Sequence, residues 1–93
     1  MYSEGISIDE ATLLFNKNLK LGDSGQYIRT LNYLINVVSY FDSSIPFLDL
    51  SGDLFTEDTE DVVKAFQRKY NLEENGVVSP IVWYRIVEES KEK

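Results

Sequence analysis

The sequence contains no cysteine and no histidine. Without cysteine the chain has no disulfide framework, and its redox compartment cannot be inferred. Together the two absences remove the commonest zinc ligands and the side chain that most often transfers protons near neutral pH. The sequence therefore argues against an enzyme that relies on either residue, and no cofactor is predicted.

Positive charge is also scarce. The 93 residues carry 9 Lys and Arg against 16 Asp and Glu, which gives a net charge of −7. Binding to DNA, RNA or an anionic membrane surface requires clustered Lys and Arg, so none of these partners is expected. No apolar run reaches the length of a membrane span, and no signal-peptide pattern precedes the domain. The length predicts a single domain with a modest core.

The spacing of apolar residues predicts an all-α fold. Val62, Val63 and Phe66 recur every three or four residues after Thr56, a favourable N-cap. The same reasoning predicts helices over residues 8–17, 24–38, 56–70 and 79–89, capped by Ser7, Asp23, Thr56 and Ser79. The first helix is an accessory element in an N-terminal extension, 1–18. The other three form a small bundle over 19–89, followed by a charged tail, 90–93.

Several positions have a predicted place in this bundle. Asn71 follows the third helix, where a left-handed backbone is common. Phe47, Leu48 and Leu50 are apolar enough to fold back on the core from the irregular stretch 39–53. The predicted core comprises Phe55, Phe66 and Trp83, the second helix's Ile28, Leu31, Leu34, Ile35 and Val38, and the last helix's Ile81 or Val82, Ile86 and Val87.

A weak internal repeat supports the bundle. Residues 52–56 (Gly-Asp-Leu-Phe-Thr) and 75–79 (Asn-Gly-Val-Val-Ser) share one plan: a turn, an apolar pair and a hydroxyl cap before a helix. Leu31-Asn32 and Phe66-Gln67 also match, each a large apolar residue followed by a side-chain amide. Two turn–helix units packed together are the simplest explanation.

The ordered motifs resemble the peptidoglycan-binding domain 1 family, a small three-helix cell-wall module. They are Leu19-Lys20-Leu21-Gly22-Asp23-Ser24-Gly25 with Ile28 and Leu31-Asn32; Ser51-Gly52-Asp53-Leu54-Phe55-Thr56 with Val62-Val63 and Phe66-Gln67; and Gly76-Val77-Val78-Ser79 with Val82-Trp83 and Ile86. The resemblance covers about residues 19–88 and is strongest toward modules of endospore-forming bacteria. The chain departs from the family pattern at Asn32, Gly52-Asp53, Thr56 and Val82.

The resemblance implies a noncatalytic domain that binds peptidoglycan and anchors a linked hydrolase or spore protein. It implies a location in the cell wall or spore envelope, outside the cytoplasm. The partner would be the glycan or its peptide stem, and a catalytic domain covalently linked in a longer chain is a further expected partner. The alternative is a divergent docking or regulatory domain with the same fold and no affinity for peptidoglycan.

If the domain binds peptidoglycan, the candidate ligand-binding residues are Tyr27, Arg29, Asn32, Tyr33, Gln67, Arg68 and Tyr70. Tyrosine offers an apolar ring and a hydroxyl, which suits a glycan or a peptide stem, although half-burial is the ordinary alternative. The two arginines suit stem carboxylates, the alternative being ion pairs on the helix surface. For the two amides, bonding to the chain's own backbone is the favoured interpretation.

The acidic residues do not predict a catalytic or metal site. Asp42, Asp49 and Asp53 suit turns, and Glu57 and Asp58 suit the start of a helix, so a glycosidase-like pair is unnecessary. A calcium loop starting at Asp49 would need glycine at its sixth position, which is Leu54, although Glu60 fits the twelfth. No catalytic residue and no metal ligand is therefore predicted.

Overall fold

The computed structural model describes residues 18–91, which form three α-helices. These are α1 (Gln26–Phe41), α2 (Glu57–Lys69) and α3 (Pro80–Ser90). Within the described residues there is no strand, only two isolated β-bridges. The predicted all-α three-helix fold is confirmed, and no helix in 18–91 is long and apolar enough to cross a membrane. The predicted helix 8–17 lies outside the described residues.

Helix α2 begins where its sequence predicts. The hydroxyl of Thr56 accepts from the Thr59 amide at 3.2 Å, and the Thr59 hydroxyl accepts from the Thr56 amide at 3.2 Å. This reciprocal capping satisfies two backbone donors that a helix start leaves without partners. Glu57, Asp58 and Glu60 in the first turn and Arg68 and Lys69 in the last complement the helix dipole.

Helix α1 begins two residues later than predicted, because Asp23 does not cap it. The N-cap is Gly25, with φ of 125° and no side-chain hydrogen bond. The Asp23 carboxylate instead accepts from the Lys20 amide at 3.0 Å, across a tight turn closed by the bond from the Asp23 amide to the Lys20 carbonyl. The prediction that Asp23 caps this helix was therefore wrong, because its carboxylate stabilises the turn before the helix instead.

The C-terminal end of α1 lies beyond the predicted end at residue 38. The helix includes Tyr40 and Phe41 and stops at Asp42, whose carboxylate accepts from the Ser44 amide at 3.0 Å. In the following loop, Ile45 and Leu50 are buried. Phe47 and Leu48 are exposed, so the expectation that both fold back on the core was wrong.

Helix α3 follows its prediction closely. Ser79 is the N-cap, accepting from the Val82 amide at 3.4 Å, and Pro80 occupies the first helical position. Val82 is buried and Ile81 is exposed, which decides between the two residues that the spacing left open.

The segments that lead into the three helices are hydrogen-bonded to one another. Leu19 and Val78 exchange backbone bonds of 2.9 and 2.8 Å. Three and four residues after Leu19, the chain bonds to Phe55. The Gly22 amide donates to the Phe55 carbonyl at 3.0 Å, and the Phe55 amide donates to the Asp23 carbonyl at 2.8 Å. We call residues 19–25, with the two turns that they join, the backbone clasp. Both units of the internal repeat thus contact the same extended segment.

The core fills the space between the clasp and the helices. It contains every apolar residue predicted for α1 together with the aromatic residues Phe55, Phe66 and Trp83. In each repeat unit the second residue of the apolar pair, Phe55 or Val78, is buried, whereas Leu54 is exposed. Alternation along an extended segment sends neighbouring side chains to opposite sides, so only one of each pair enters the core.

Gly76 provides a test of this packing. Its φ is +75°, and a Cβ there would lie 2.8 Å from Cγ of Glu60. We expect Gly76→Ala to lower the free energy of unfolding by about 2 kcal/mol or more. The left-handed conformation alone costs a residue with a Cβ roughly 1–2 kcal/mol, and the close contact of the new Cβ with Glu60 adds to that cost. Unfolding of the wild type and the variant by denaturant measures this change in the free energy of unfolding.

The matched control is Gly52→Ala, since Gly52 has φ of +78° with nothing within 4 Å of the added Cβ. Gly52→Ala should lower the free energy of unfolding less than Gly76→Ala does, and the difference between the two measures the cost of the contact with Glu60. Equal losses at the two positions would show that the Glu60 side chain moves aside without cost.

Candidate functional site

Asn32 lies beneath the turn that precedes α2. Its amide nitrogen is 3.2 Å from the Gly52 carbonyl and 3.4 Å from those of Ser51 and Leu54, while its oxygen accepts from the Thr59 hydroxyl at 3.1 Å. The residue is buried. One side chain of α1 therefore fixes both the turn and the cap of α2.

Gln67 plays the same part for the turn before α3. Its nitrogen donates to the Val77 carbonyl at 3.0 Å and to Asn75 Oδ1 at 3.1 Å, and its oxygen accepts from the Gly76 amide at 2.9 Å. Gln67 is fully buried, and Asn32 is almost fully buried. Bonding of the two amides to backbone, the favoured interpretation from sequence, is what the structure shows; neither presents an exposed amide to a ligand.

The exposed candidates lie in separate places. Arg29 and Tyr33 are one turn apart on the outer side of α1, with an Arg29 nitrogen 4.0 Å from an Asp53 oxygen. Tyr27, in the first turn of α1, meets Trp83 edge to face at 5.9 Å. It also borders a groove of about 250 Å³ lined by residues 18–20, 23, 24 and 26–28.

Arg68 is paired with a residue outside its helix. Its Nε donates to Glu74 Oε1 at 3.2 Å, and a second guanidinium nitrogen bonds the other carboxylate oxygen. The Arg68 guanidinium holds the pKa of the Glu74 carboxyl below its usual value. Because both side chains are exposed, the pair contributes little to stability.

Tyr70 is the point at which the ends of the three helices meet. It is the C-cap of α2, and its hydroxyl lies 3.3 Å from Asp42 at the end of α1 and 3.3 Å from Glu89 in the last turn of α3. Its ring packs 4.6 Å from that of Phe66, and the Arg85 guanidinium lies 4.7 Å from the ring centre. We call Asp42, Tyr70 and Glu89 the phenol–carboxylate cluster.

Each carboxylate of this cluster has a cation beside it. Lys69 Nζ lies 2.9 Å from Asp42, and Arg85 Nε lies 3.1 Å from Glu89. Hydrogen bonds from Ser44 and then from Lys69 hold the pKa of Asp42 well below its usual range. Burial, followed by the charges of Glu89 and Asp42, raises the pKa of Tyr70 to about 12. The phenol thus lies between two carboxylates, each of which has a cation beside it.

A groove of about 190 Å³ opens over the cluster, and its other walls are Val38 and Phe41 of α1. Phe41 continues into a group of exposed rings. Tyr40 meets Phe41 edge to face at 5.0 Å and Phe47 at 6.5 Å. We call Tyr40, Phe41 and Phe47 the aromatic platform.

The sequence-based site list contains one residue of this groove, Tyr70. It missed Phe41, which lay past the predicted helix end, and assigned Phe47 to the core. The available signal was three rings within eight residues beside turn residues, because two of them, Tyr40 and Phe41, had no place in the predicted core. Among the described residues no group of three or more carboxylates is placed to hold a metal ion.

The architecture defines a class: a small helical domain in which two turn–helix units share one extended segment. The model of the family described as "Putative peptidoglycan binding domain" matches residues 24–86, which contain α1, α2 and most of α3. The chain belongs to this peptidoglycan-binding family. Searches of curated proteins and of solved structures each found no match.

The raised pKa of Tyr70 predicts alkaline destabilisation. The folded pKa is about 12, whereas an unfolded tyrosine has a pKa of about 10. The unfolded chain releases this proton first as the pH rises, so the stabilisation is complete below about pH 10 and is lost up to about pH 12. Tyr70→Phe should flatten the decline measured by denaturant unfolding across this window.

At about pH 7 to 9 the wild type and Tyr70→Phe should differ by a constant amount, since Tyr70 is protonated in both states there. If the two stability curves remained parallel through pH 12 as well, the hydroxyl would not be held as described.

The buried amide of Asn32 gives a second test. We expect Asn32→Ala to lower the free energy of unfolding by about 2–3 kcal/mol, because the buried Thr59 hydroxyl and the carbonyls of the turn lose their partner. Its neighbour Tyr33 is exposed, and Tyr33→Ala should stay within about 0.5 kcal/mol of the wild type. An Asn32→Ala protein as stable as Tyr33→Ala would contradict the structural role.

Proposed function

We propose that this chain is a noncatalytic peptidoglycan-binding module that holds a linked catalytic domain or spore protein on the cell wall. The observation that carries the proposal is the family match across all three helices. The proposed location is the cell wall or spore envelope. The predicted absence of catalysis agrees with membership of a binding family.

The proposed contacts are made by exposed side chains. Arg29 and Tyr33 form one outward pair on α1, and Arg68 lies beside the turn after α2. Guanidinium groups suit the carboxylates of a peptide stem, and phenol rings suit the apolar faces of sugars. Asn32 and Gln67 would act indirectly by fixing the turns that border these residues.

The net charge of −7 shapes the proposed preference. Negative potential attracts amino groups of the peptide stem and repels anionic wall polymers. Such steering acts between exposed charges, so salt reduces it. Binding should therefore weaken as ionic strength rises.

Co-sedimentation with purified sacculi tests the proposal. We expect the wild type to sediment with sacculi, and Arg29→Ala with Tyr33→Ala to reduce the bound fraction. Ile81→Ala, an exposed apolar residue at the start of α3, is the control and should bind normally.

Two results would count against the proposal. Absence of sedimentation with peptidoglycan from any source would favour the alternative, a docking domain of the same fold. Tighter binding at higher ionic strength would refute the charge preference while leaving sacculus binding intact.

A further inference from the structure

Helix α1 carries a row of exposed side chains on the side that does not face the core. Arg29 is followed by Tyr33 four residues later and by Tyr40 after seven more, and a period of about 3.6 residues per turn places all three on one stripe. Tyr33 and Tyr40 are 66% and 72% exposed, respectively. We call Arg29, Tyr33 and Tyr40 the outer stripe. It combines one cation with two large rings that the core does not use.

The loop that follows α1 runs back along one edge of the outer stripe, in the opposite direction to the helix. Near its start, the Phe47 ring lies 6.5 Å from that of Tyr40. Further along, the Asn36 amide donates to the Leu50 carbonyl at 2.6 Å and accepts from the Leu50 amide at 2.9 Å. Asn32 holds the turn that comes next. Hydrogen bonds from α1 therefore fix this wall before any ligand arrives, which reduces the ordering cost of binding.

The cation of the outer stripe is accessible. An Arg29 nitrogen lies 4.0 Å from an Asp53 oxygen in the same wall, and the two side chains are 67% and 54% exposed. An ion pair between groups so exposed contributes little to stability. Arg29 can therefore exchange this partner for a carboxylate of a ligand at small cost. The outer stripe is thus a linear site with a cation at one end and two rings along the rest.

The separation of the two tyrosines sets the repeat of a ligand that contacts both. Seven residues make two turns, so Tyr33 and Tyr40 are separated by roughly 10 Å along the helix and differ in direction by only about 20°. Successive rings of a β-linked glycan strand are turned over, so the same face of the sugar recurs at every second ring. One disaccharide is about as long as two helical turns. Two sugars one disaccharide apart can therefore stack on both tyrosines at once.

An extended peptide matches this separation less well. Three residues of extended chain, at about 3.3 Å each, cover the distance between the two tyrosines. Residues three apart point to opposite faces of an extended chain, so they do not present their side chains to one stripe. The spacing therefore favours the glycan strand over its peptide stem as the ligand of the two rings.

We propose that the outer stripe binds the glycan strand lengthwise along α1, with two sugars one disaccharide apart stacked on Tyr33 and Tyr40. Because two kinds of sugar alternate along the strand, both rings contact the same kind. Arg29, one turn before Tyr33, lies beside the other kind, which carries the peptide stem. The inference rests on the proposed function and deepens it, because it gives the strand a direction on the domain and a minimum length of three consecutive sugars.

The test compares two peptide-free glycan fragments, a disaccharide and a tetrasaccharide. Their affinities are measured for the wild type, for Tyr33→Ala and for Tyr40→Ala. The matched control is Tyr84→Ala, which removes an exposed tyrosine from α3 instead of α1. Thermal unfolding confirms that the variants fold, as expected for substitutions at exposed positions.

We expect the wild type and Tyr84→Ala to bind the tetrasaccharide at least about tenfold more tightly than the disaccharide, because only the longer fragment reaches both rings. In Tyr33→Ala and in Tyr40→Ala this advantage of length should shrink to about twofold or less, since one ring remains. Tyr33→Phe and Tyr40→Phe keep the aromatic face and should keep the advantage.

The outcomes separate this glycan site from the proposed function. If the wild type does not bind intact sacculi, the proposed function fails. If it binds sacculi but prefers neither fragment, the pairing of two rings with one disaccharide is overturned alone. The same holds if both alanine variants keep the wild-type advantage of length. It also holds if sedimentation velocity shows that their sole defect is loss of self-association through the outer stripe.

Discussion

The fold depends on the backbone bonds that Leu19, Gly22 and Asp23 make to Val78 and Phe55. These bonds satisfy main-chain groups that burial would otherwise leave without partners, which is costly in a core. They also fix where α2 and α3 start relative to α1. The side chains of Asn32 and Gln67 then hold the two turns from beneath, so each turn is fixed by backbone on one side and by an amide on the other.

The other end of the bundle is built differently. There the helix ends are joined through side chains, with the Tyr70 phenol between Asp42 and Glu89 and a cation beside each carboxylate. Backbone groups that bond to one another offer a ligand little to contact, whereas carboxylates and rings at a surface offer several contacts. The division explains why the groove and the aromatic platform lie at the end held by side chains.

The parts of the fold that were predictable from sequence are those set by local chemistry. Thr56, Ser79 and Pro80 specify helix starts through bonds and geometry within one turn, and apolar spacing specified the buried faces. Asp23 was misassigned because two local partners competed for it, the Lys20 turn and the helix. Phe47 was misassigned because apolar character does not reveal which rings a small core can hold. The groove was not predicted because it is formed by contacts between residues distant in sequence, such as Tyr70 and Glu89.

The pairing of Leu19 with Val78 has a consequence for biosynthesis. Residue 19 is made early, but its backbone partner follows only after α1 and α2 have been translated. Contacts between residues so far apart in the chain form late and cooperatively. The backbone clasp therefore cannot close until Val78 has left the ribosome, so α1 and α2 are translated before the bundle can close.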